Sequence, residues 1–302
     1  MLILGSRRFR SLNRVLDFEQ TGDYAFHTNT TTITPEETFG MSVKVGTPDD
    51  LPKSVVPSVM RAARLLDAVA SASEPLSLTA LRRQLALPKS STLSLCTSLT
   101  STGLLRRSEE GTYHLGSRLV DLAHSYLRRT DLPSEFAQLW SSSDPLSDES
   151  GVLAVLDGAD VIYIACRNGS RPHGLSFRVG MRLPATCTAT GKTMLAALPD
   201  QHVRTLLSAS SLKSLTPHSH CDIDTLLADL ARVRQRGYGV DDEETLEGTY
   251  CVGVPITDCG RAPAAVAVSF VKGSNFEERA RTLIPRLQEI ATRLAPHVSM
   301  LL

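Results

Sequence analysis

Three helical segments followed by two short strands, between residues 57 and 115, constrain the fold of this chain more than any other feature of its sequence. The first predicted helix begins at Pro57, and the residues expected on its apolar face recur at helical spacing: Val59, Ala62, Ala63, Leu66, Val69 and Ala70. Ser77 is the predicted N-cap of a second helix, Leu78 to Leu85. A third helix is predicted from about Lys89 to Thr102, with Leu95, Cys96 and Leu99 facing inward.

A hairpin is predicted directly after the third helix. Gly103 stands where a left-handed C-cap is expected, and two strands follow, Leu104–Arg107 and Thr112–Leu115, joined by a turn that ends in Gly111. Three helices and a hairpin in this order are typical of a winged helix-turn-helix.

The charge of this segment differs from that of the whole chain. The 302 residues carry 32 basic and 32 acidic side chains, which balance. Residues 55–118 hold eight basic and four acidic side chains, a net charge of 8 − 4 = +4. A basic unit in a neutral chain indicates a polyanionic partner.

The start of the third helix is the predicted contact surface for that partner. Lys89, Ser90, Ser91 and Thr92 place one cation and three hydroxyls beside helix N–H groups that lack helical partners, an arrangement that attracts phosphate. Arg106 and Arg107 on the predicted wing add two guanidinium groups. The alternative is a solvated helix face with ordinary capping serines.

A second helix-and-strand region follows the hairpin. Ser117 is the predicted cap of a linking helix whose apolar residues are Leu119, Leu122, Ala123, Tyr126 and Leu127. Beyond it, a hairpin is predicted at Val152–Leu156 and Val161–Ala165, and later strands at Cys251–Ile256 and Ala264–Phe270. Helices are predicted at Gly191–Leu198, His202–Ser208, Ile223–Arg236 and Phe276–Leu294. The pattern predicts an α+β domain with a mainly antiparallel sheet.

Several classes of protein are disfavoured. No apolar run approaches the roughly 18 residues that span a bilayer, and no apolar segment follows the basic N-terminus as in a signal peptide. The six cysteines form no Cys-x-x-Cys pair, which argues against a disulfide scaffold or a zinc finger. We therefore expect a cytoplasmic protein without cofactor, metal or membrane contact. Residues 1–54 are expected to be a poorly ordered extension, and Met41 is a candidate for the true start.

The ordered set of motifs resembles the IclR family of bacterial transcriptional regulators across about residues 57–297. In the first part the likeness is carried by Leu76-Ser77-Leu78-Thr79, Leu87-Pro88-Lys89-Ser90-Ser91 and Gly111-Thr112-Tyr113-His114-Leu115-Gly116. In the second part it is carried by Gly180-Met181-Arg182-Leu183-Pro184, Cys187-Thr188-Ala189-Thr190-Gly191-Lys192, Arg234-Gln235-Arg236-Gly237-Tyr238, Asp241-Asp242-Glu243-Glu244, Gly248, Cys251 and Pro255.

The resemblance implies a GAF-like effector-binding domain, a homodimer or homotetramer, and a small organic effector that modulates binding to a pseudopalindromic DNA operator. It places Asp241, Cys251 and Ser269 in the effector pocket. The helix N-terminus near Ala189 and Thr190 could hold a carboxylate, while the alternative is that Thr188 and Thr190 only cap that helix.

Two positions depart from the family pattern. Ser94 stands in the recognition helix where family members usually carry Arg, so a possible bidentate contact worth about 1–3 kcal/mol of base discrimination is missing. Ala267 stands where some relatives have Ser, which favours a less polar pocket.

Other sites compete with this interpretation. Gly191-Lys192-Thr193 invites comparison with a phosphate loop, but position 186, where a Walker A loop needs Gly, is Thr. The acids Asp241 to Glu244 are interpreted as a solvated loop rather than a metal site. His218, His220 and Cys221 could bind a metal but are assigned to a plain loop. Cys251 is interpreted as a buried thiol rather than a redox sensor.

The sequence thus predicts winged helix-turn-helix residues 55–116, a linker helix 117–130 and an effector domain 131–302. The predicted function is effector-controlled DNA binding, not catalysis. A ligand-binding module whose winged domain contacts protein, or an enzyme using Asp241 and Cys251 in the C-terminal cavity, are the alternatives.

Overall fold

A computed structural model describes residues 56–128, 131–142, 146, 149–169, 176–208, 212–258 and 260–298. The expectations for residues 1–54, including the start at Met41, lie outside these residues. Contacts divide the chain into two units: Met1–Leu99 with Arg107–His114, and Thr100–Arg106 with Leu115–Leu302. This division follows contact density, so the domain limits proposed from the motifs stay a prediction.

The N-terminal elements follow the predicted order, apart from the short strand Leu76–Ser77, which was not predicted. They are α1 (Pro57–Ser71), β1 (Leu76–Ser77), α2 (Leu78–Leu85), α3 (Lys89–Ser101), β2 (Leu105–Arg107) and β3 (Thr112–Leu115). The strands form a three-stranded sheet in the order β1-β3-β2. The side chain of Ser77 accepts a hydrogen bond from the Ala80 N–H, which confirms the predicted cap of α2.

The apolar face predicted for α1 is partly wrong. Leu65 and Ala68 are its buried residues, whereas Val59 is 64% exposed and Ala63 and Ala70 are also exposed. Alanine is tolerated on both the buried and the exposed side of a helix. The alanines of α1 therefore made the predicted apolar face unreliable. The inward face is set by Leu65, which is fully buried.

Among the described residues, the larger unit contains the linking helix, five further α-helices and one antiparallel sheet of six strands, with helices packed on both faces of the sheet. They are α4 (Arg118–Leu127), α5 (Leu132–Ser141), β4 (Ser150–Asp157), β5 (Asp160–Arg167), β6 (Arg182–Pro184), α6 (Ala189–Ala196), α7 (Asp200–Ser208), α8 (Ile223–Arg236), β7 (Gly239–Asp242), β8 (Thr249–Asp258), β9 (Arg261–Val271) and α9 (Phe276–Leu294). The sheet runs β6-β5-β4-β9-β8-β7, and every pair is antiparallel. The predicted α+β class is confirmed.

Alternation along the strands places two cores on the two faces of this sheet. One face packs against α5 and α9 through residues such as Val266, Val268 and Phe270. The opposite face packs against α6 and α8 through residues such as Val152, Ala265 and Ala267. The second face is the one that carries the polar residues considered below.

Four elements of this unit were missed or misjudged from the sequence, and the short strand β6 is one that was not predicted. Helix α5 was not predicted, although Phe136, Leu139 and Trp140 are buried along it. Strand β7 was taken for a loop because its residues Asp241 and Asp242 are acidic. Ser117 precedes α4 but makes no capping hydrogen bond with its side chain, contrary to expectation.

Candidate nucleic-acid interface and ligand site

Helix α3 is fixed on its inner side by the wing strand β3. The Cys96 thiol is buried and hydrogen-bonds the Tyr113 hydroxyl, and burial raises the pKa of both groups. The Arg107 guanidinium lies 5.9 Å from the centre of the Tyr113 ring. Tyr113 thus joins the inward side of α3 to the strand, while Arg107 itself stays exposed.

The outer side of α3 carries most of the predicted contact residues. Lys89, Ser90 and Ser94 are exposed and Ser91 is half-buried. Leu93 (45% exposed) and Thr97 share the face of Ser90 and Ser94, and the prediction omitted them. Their spacing of three, four and seven residues from Ser90 was the available signal. Arg106 is exposed as predicted.

Thr92 is a correction. Its side chain is fully buried, and its hydroxyl donates to the Pro88 carbonyl at 3.0 Å. A buried hydroxyl that is already bonded to its own helix cannot reach a phosphate or base. Thr92 therefore belongs to the core of α3 and not to a contact surface.

The predicted effector residues Asp241, Cys251 and Ser269 come together on three neighbouring strands. Strand register pairs Asp241 with Cys251 and Cys251 with Ser269. All three are buried, and the Cys251 thiol donates to the Ser269 hydroxyl at 3.3 Å. Burial and the neighbouring Asp241 raise the pKa of Cys251 well above its ordinary value, which agrees with a core thiol.

Helix α6 begins against the same strands. A side chain on Gly253 would place its Cβ 2.6 Å from the Ala189 carbonyl carbon and 2.9 Å from the Thr190 nitrogen. Gly239, which pairs with Gly253, would meet the Ala189 oxygen at 2.5 Å. The two glycines therefore allow α6 to start directly on β7 and β8, two residues from Asp241 and Cys251.

The start of α6 is only partly capped. Thr188 accepts from the Gly191 N–H at 3.0 Å, as the capping alternative expected. The Thr190 hydroxyl oxygen is buried and, among the described residues, has no hydrogen-bond partner. Capping thus accounts for Thr188 and leaves Thr190 available.

Tyr163 on β5 was not among the predicted site residues. It is 4% exposed, its ring meets Phe177 edge-on, and burial, with Cys251 and Asp241 nearby, raises its pKa well above the ordinary value. Its position within an apolar strand gave no signal, because a tyrosine there is as easily a core residue.

The acids Asp241 to Glu244 are not a solvated loop. Asp241 and Glu244 are 2% and 6% exposed. Asp241 Oδ1 accepts from the N–H groups of Glu244 and Thr245, and Lys272 pairs with Asp242 and Glu243. Each acid has a fixed partner because the chain turns back from β7 at this point.

Lys192 lies at the centre of a buried ionic cluster. Its Nζ is 2.9 Å from Asp229 Oδ2 and also bonds Glu244 Oε1, and the whole residue is 1% exposed. His220 Nε2 lies 3.5 Å from Asp229 Oδ2 and 3.8 Å from Glu244 Oε2. We call Lys192, Asp229, His220 and Glu244 the Lys192 cluster.

This cluster bears on two competing interpretations from the sequence, the phosphate loop and the histidine and cysteine metal site. A lysine enclosed by two carboxylates cannot bind a phosphate chain, so Gly191-Lys192-Thr193 is not a phosphate loop. The suggested ligands His220 and Cys221 have different neighbours: His220 Nε2 faces Asp229 and Glu244, whereas Cys221 is exposed and its thiol donates to the Ser219 carbonyl. Lys192 Nζ supplies the positive charge that the acids require.

A helix-turn-helix unit followed by an α+β domain is typical of a DNA-binding transcriptional regulator. The model for the IclR helix-turn-helix domain matches residues 58–109, and the model for the C-terminal part of bacterial IclR transcriptional regulators matches residues 124–295. The chain belongs to the IclR family.

Individual relatives agree. The chain is 31% identical over 240 residues to a probable transcriptional regulator, SauR, from Cupriavidus necator, covering 78% of this chain and 95% of that protein. The repressor BlcR of Agrobacterium tumefaciens has 36% identity and a TM-score of 0.52 over 81% of this chain and 98% of its own. An IclR homologue from Microbacterium hydrocarbonoxydans, 22% identical, shares the fold with a TM-score of 0.69 over 80% and 98% of the two chains.

These relatives are transcriptional regulators, so the enzymatic alternative is set aside and the chain is a regulator. Among the described residues, no helix is long and apolar enough to cross a membrane.

Proposed function

We propose that this regulator binds its operator through the exposed face of α3 and the wing arginines, and that a small organic acid bound beside α6 modulates this binding. The observation that carries the effector site is the buried, unpartnered Thr190 hydroxyl at a helix N-terminus that lies against the Asp241–Cys251–Ser269 row. A buried hydroxyl without a partner costs about 1–3 kcal/mol, which a ligand would recover.

A carboxylate suits this position. The N–H groups of Ala189 and Thr190 have no hydrogen-bond partner among the described residues, and the dipole of α6 favours a negative group there. The opposite side of the site offers the Ser269 hydroxyl and the Asp241 carboxyl for a ligand hydroxyl. As a precedent in the same fold, the Microbacterium homologue was crystallised with 4-hydroxybenzoate.

A panel of small carboxylates, among them acetate, succinate, benzoate and 4-hydroxybenzoate, tests the effector site by thermal shift. A binding acid at a hundred times its Kd is expected to stabilise the wild type by about 2.7 kcal/mol, and less so Thr190→Val. Thr292→Val, an exposed threonine on α9, is the matched control and should respond like wild type. If no acid stabilises the protein, or none that binds alters DNA affinity, the effector proposal is wrong.

On the DNA side, Lys89→Ala is expected to remove one phosphate contact. The slope of log affinity against log salt should become shallower by about 0.9, measured on a duplex that the protein selects from a random library. Lys213→Ala, the same change at a half-exposed lysine of the effector domain, should leave the slope unchanged. Equal slopes for wild type and Lys89→Ala would remove α3 from the interface and favour a protein partner for the winged domain.

We further propose a homodimer, or a tetramer built from dimers, that places two winged domains on a pseudopalindromic operator in the bacterial cytoplasm. Helix α4 supports this proposal because it buries none of its residues within the chain, while Val120, Leu122 and Tyr126 are 50–69% exposed. An amphipathic helix with an uncovered apolar face is typical of an interface between subunits. A monomer at micromolar concentration in sedimentation equilibrium would contradict this.

A further inference from the structure

We propose that the Lys192 cluster makes closure of residues 243–248 over the effector domain proton-dependent, with one proton on Glu244 favouring the closed form. The inference rests on the proposed function only because this segment borders the proposed effector site. The closure proposal is tested on the protein without ligand. It can therefore fail while the effector proposal holds, and the effector proposal can fail while the closure proposal holds.

The first step is the balance of charge inside the cluster. Two buried carboxylates, Asp229 and Glu244, share the single ammonium of Lys192. Asp229 has additional partners on α8, since Arg232 lies 3.2 Å and Arg236 3.9 Å from its Oδ1. Glu244 has none of these, and Asp241 adds a further carboxyl on its side. Glu244 is therefore the acid with the least compensation.

The second carboxylate oxygen of Glu244 lacks a hydrogen-bonding partner among the described residues, which shows that the charge of this acid is poorly compensated. Glu244 Oε2 is buried, and within the described part of the chain it has no hydrogen-bond partner. His220 Nε2 lies 3.8 Å from this oxygen, which is too long for a hydrogen bond. A proton on this oxygen removes a poorly solvated charge and leaves Lys192 with Asp229.

The second step is that Glu244 cannot reach water unless the segment opens. The Glu244 N–H donates to Asp241 Oδ1 at 2.8 Å, and the Ser219 hydroxyl donates to the Glu244 carbonyl at 2.7 Å. The Thr245 hydroxyl donates to the Cys187 carbonyl at 3.1 Å, immediately ahead of α6. Exposing the carboxylate breaks these bonds together, so segment opening and exposure of Glu244 are one event.

The third step is the sign of the coupling. Burial, together with the Asp241 charge and against the Lys192 charge, raises the pKa of Glu244 from 4.5 to about 7 in the closed form. In the open form the side chain is solvated and its pKa returns towards 4.5. The closed form therefore holds the proton more tightly, and closure is favoured as pH falls through 7 and loses this contribution as pH rises.

The pKa values of Asp229, Cys187 and Cys251, which lie near Glu244, do not fall in the same pH range. The hydrogen bond from His220 and the charge of Lys192 outweigh burial and lower the pKa of Asp229, so it titrates in acid. Burial raises the pKa of the nearby thiols Cys187 and Cys251, which keeps them neutral. Burial also raises the pKa of Asp241, and Glu244→Gln separates the two acids because it removes only the proton on Glu244; His220 is tested by its own variant.

Amide hydrogen exchange of the full ligand-free chain, corrected for the intrinsic rate at each pH, measures closure of residues 243–248. For a closed-form pKa near 7, protection is expected to rise about tenfold from pH 8 to pH 6. Glu244→Gln, a neutral isostere of the protonated side chain, should be independent of pH and more protected than wild type at both pH 6 and pH 8, because the open wild-type segment gains an ionised carboxylate at both values and the variant does not. A flat wild-type profile, or an unchanged pH dependence in Glu244→Gln, would overturn the proposal.

Two further variants keep the proposal testable if Glu244→Gln does not fold. Asp229→Asn leaves Lys192 to Glu244 alone, so the midpoint of the protection profile should move to lower pH, and an unmoved midpoint contradicts the shared-lysine argument. His220→Gln should retain the pH dependence. If that dependence disappears in His220→Gln, the proton resides on the histidine and Glu244 is the wrong group.

Discussion

Lys192→Met is expected to lower the free energy of unfolding of the effector domain by about 3–5 kcal/mol. Methionine matches the length of the lysine stem but removes the charge that Asp229 and Glu244 share in the interior. The cost arises from two carboxylates left without their cation, because breaking a buried pair by removing one partner is far worse than replacing the whole pair. Urea unfolding followed by the fluorescence of Trp140, the single and fully buried tryptophan, measures this domain selectively.

The control for Lys192→Met is an ion pair at the surface. Arg286 and Glu289 form one on α9 with both side chains more than half exposed, so Arg286→Ala should cost less than about 1 kcal/mol. The triple variant Lys192→Met, Asp229→Asn, Glu244→Gln should recover much of the loss, since it removes the stranded charges too. A loss in Lys192→Met no larger than that in Arg286→Ala would show that the cluster is not buried in solution.

The sequence was informative where a local rule decides the outcome. Ser77 caps α2 as predicted, and by the same local rule Asp222 caps α8, where it accepts from the N–H groups of Asp224 and Thr225. Gly103 and Gly237 end their helices with φ of +75° and +78°. These choices depend on a few neighbouring residues, so they can be made before the fold is known.

Long-range partners were not accessible in the same way. The buried state of Glu244 depends on Lys192, 52 residues away, and on β7 turning the acidic run inward. The sequence held one overlooked signal: Lys192 is the one charged residue of α6, and the structure shows that this helix is buried throughout, so the lysine requires a buried anion. The prediction for Thr92 was wrong for the opposite reason. Its hydroxyl suggested a contact surface, but the structure shows that the side chain is buried.

The site residues inferred by resemblance were brought together by strand register, which the sequence alone does not fix. Asp241, Cys251 and Ser269 are neighbours only because β7, β8 and β9 pair without a shift at these positions. A displacement of one residue would turn Cys251 to the opposite core. The prediction for these residues therefore depended on the family motifs and not on periodicity.

Gly191→Ala is expected to destabilise the effector domain by about 3 kcal/mol, although alanine is the better helix former by about 1 kcal/mol. The added Cβ would lie 2.2 Å from the Ala185 oxygen and 2.3 Å from the Ala185 Cα. Both atoms belong to the backbone and cannot rotate away, so the start of α6 must move off the preceding segment. The sign is thus opposite to the one that helix propensity alone predicts.

The matched control is Gly273→Ala. Gly273 is exposed, and its new Cβ would meet only the Asn275 side chain, at 3.8 Å, so we expect a change within about 0.5 kcal/mol. Urea unfolding followed at Trp140 again provides the measurement, and thermal shift with any acid that binds wild type shows whether the α6 site is lost as well. If Gly191→Ala unfolds at the same urea concentration as Gly273→Ala, then α6 does not lie against Ala185, and the position of Thr190 in the proposed effector site is wrong with it.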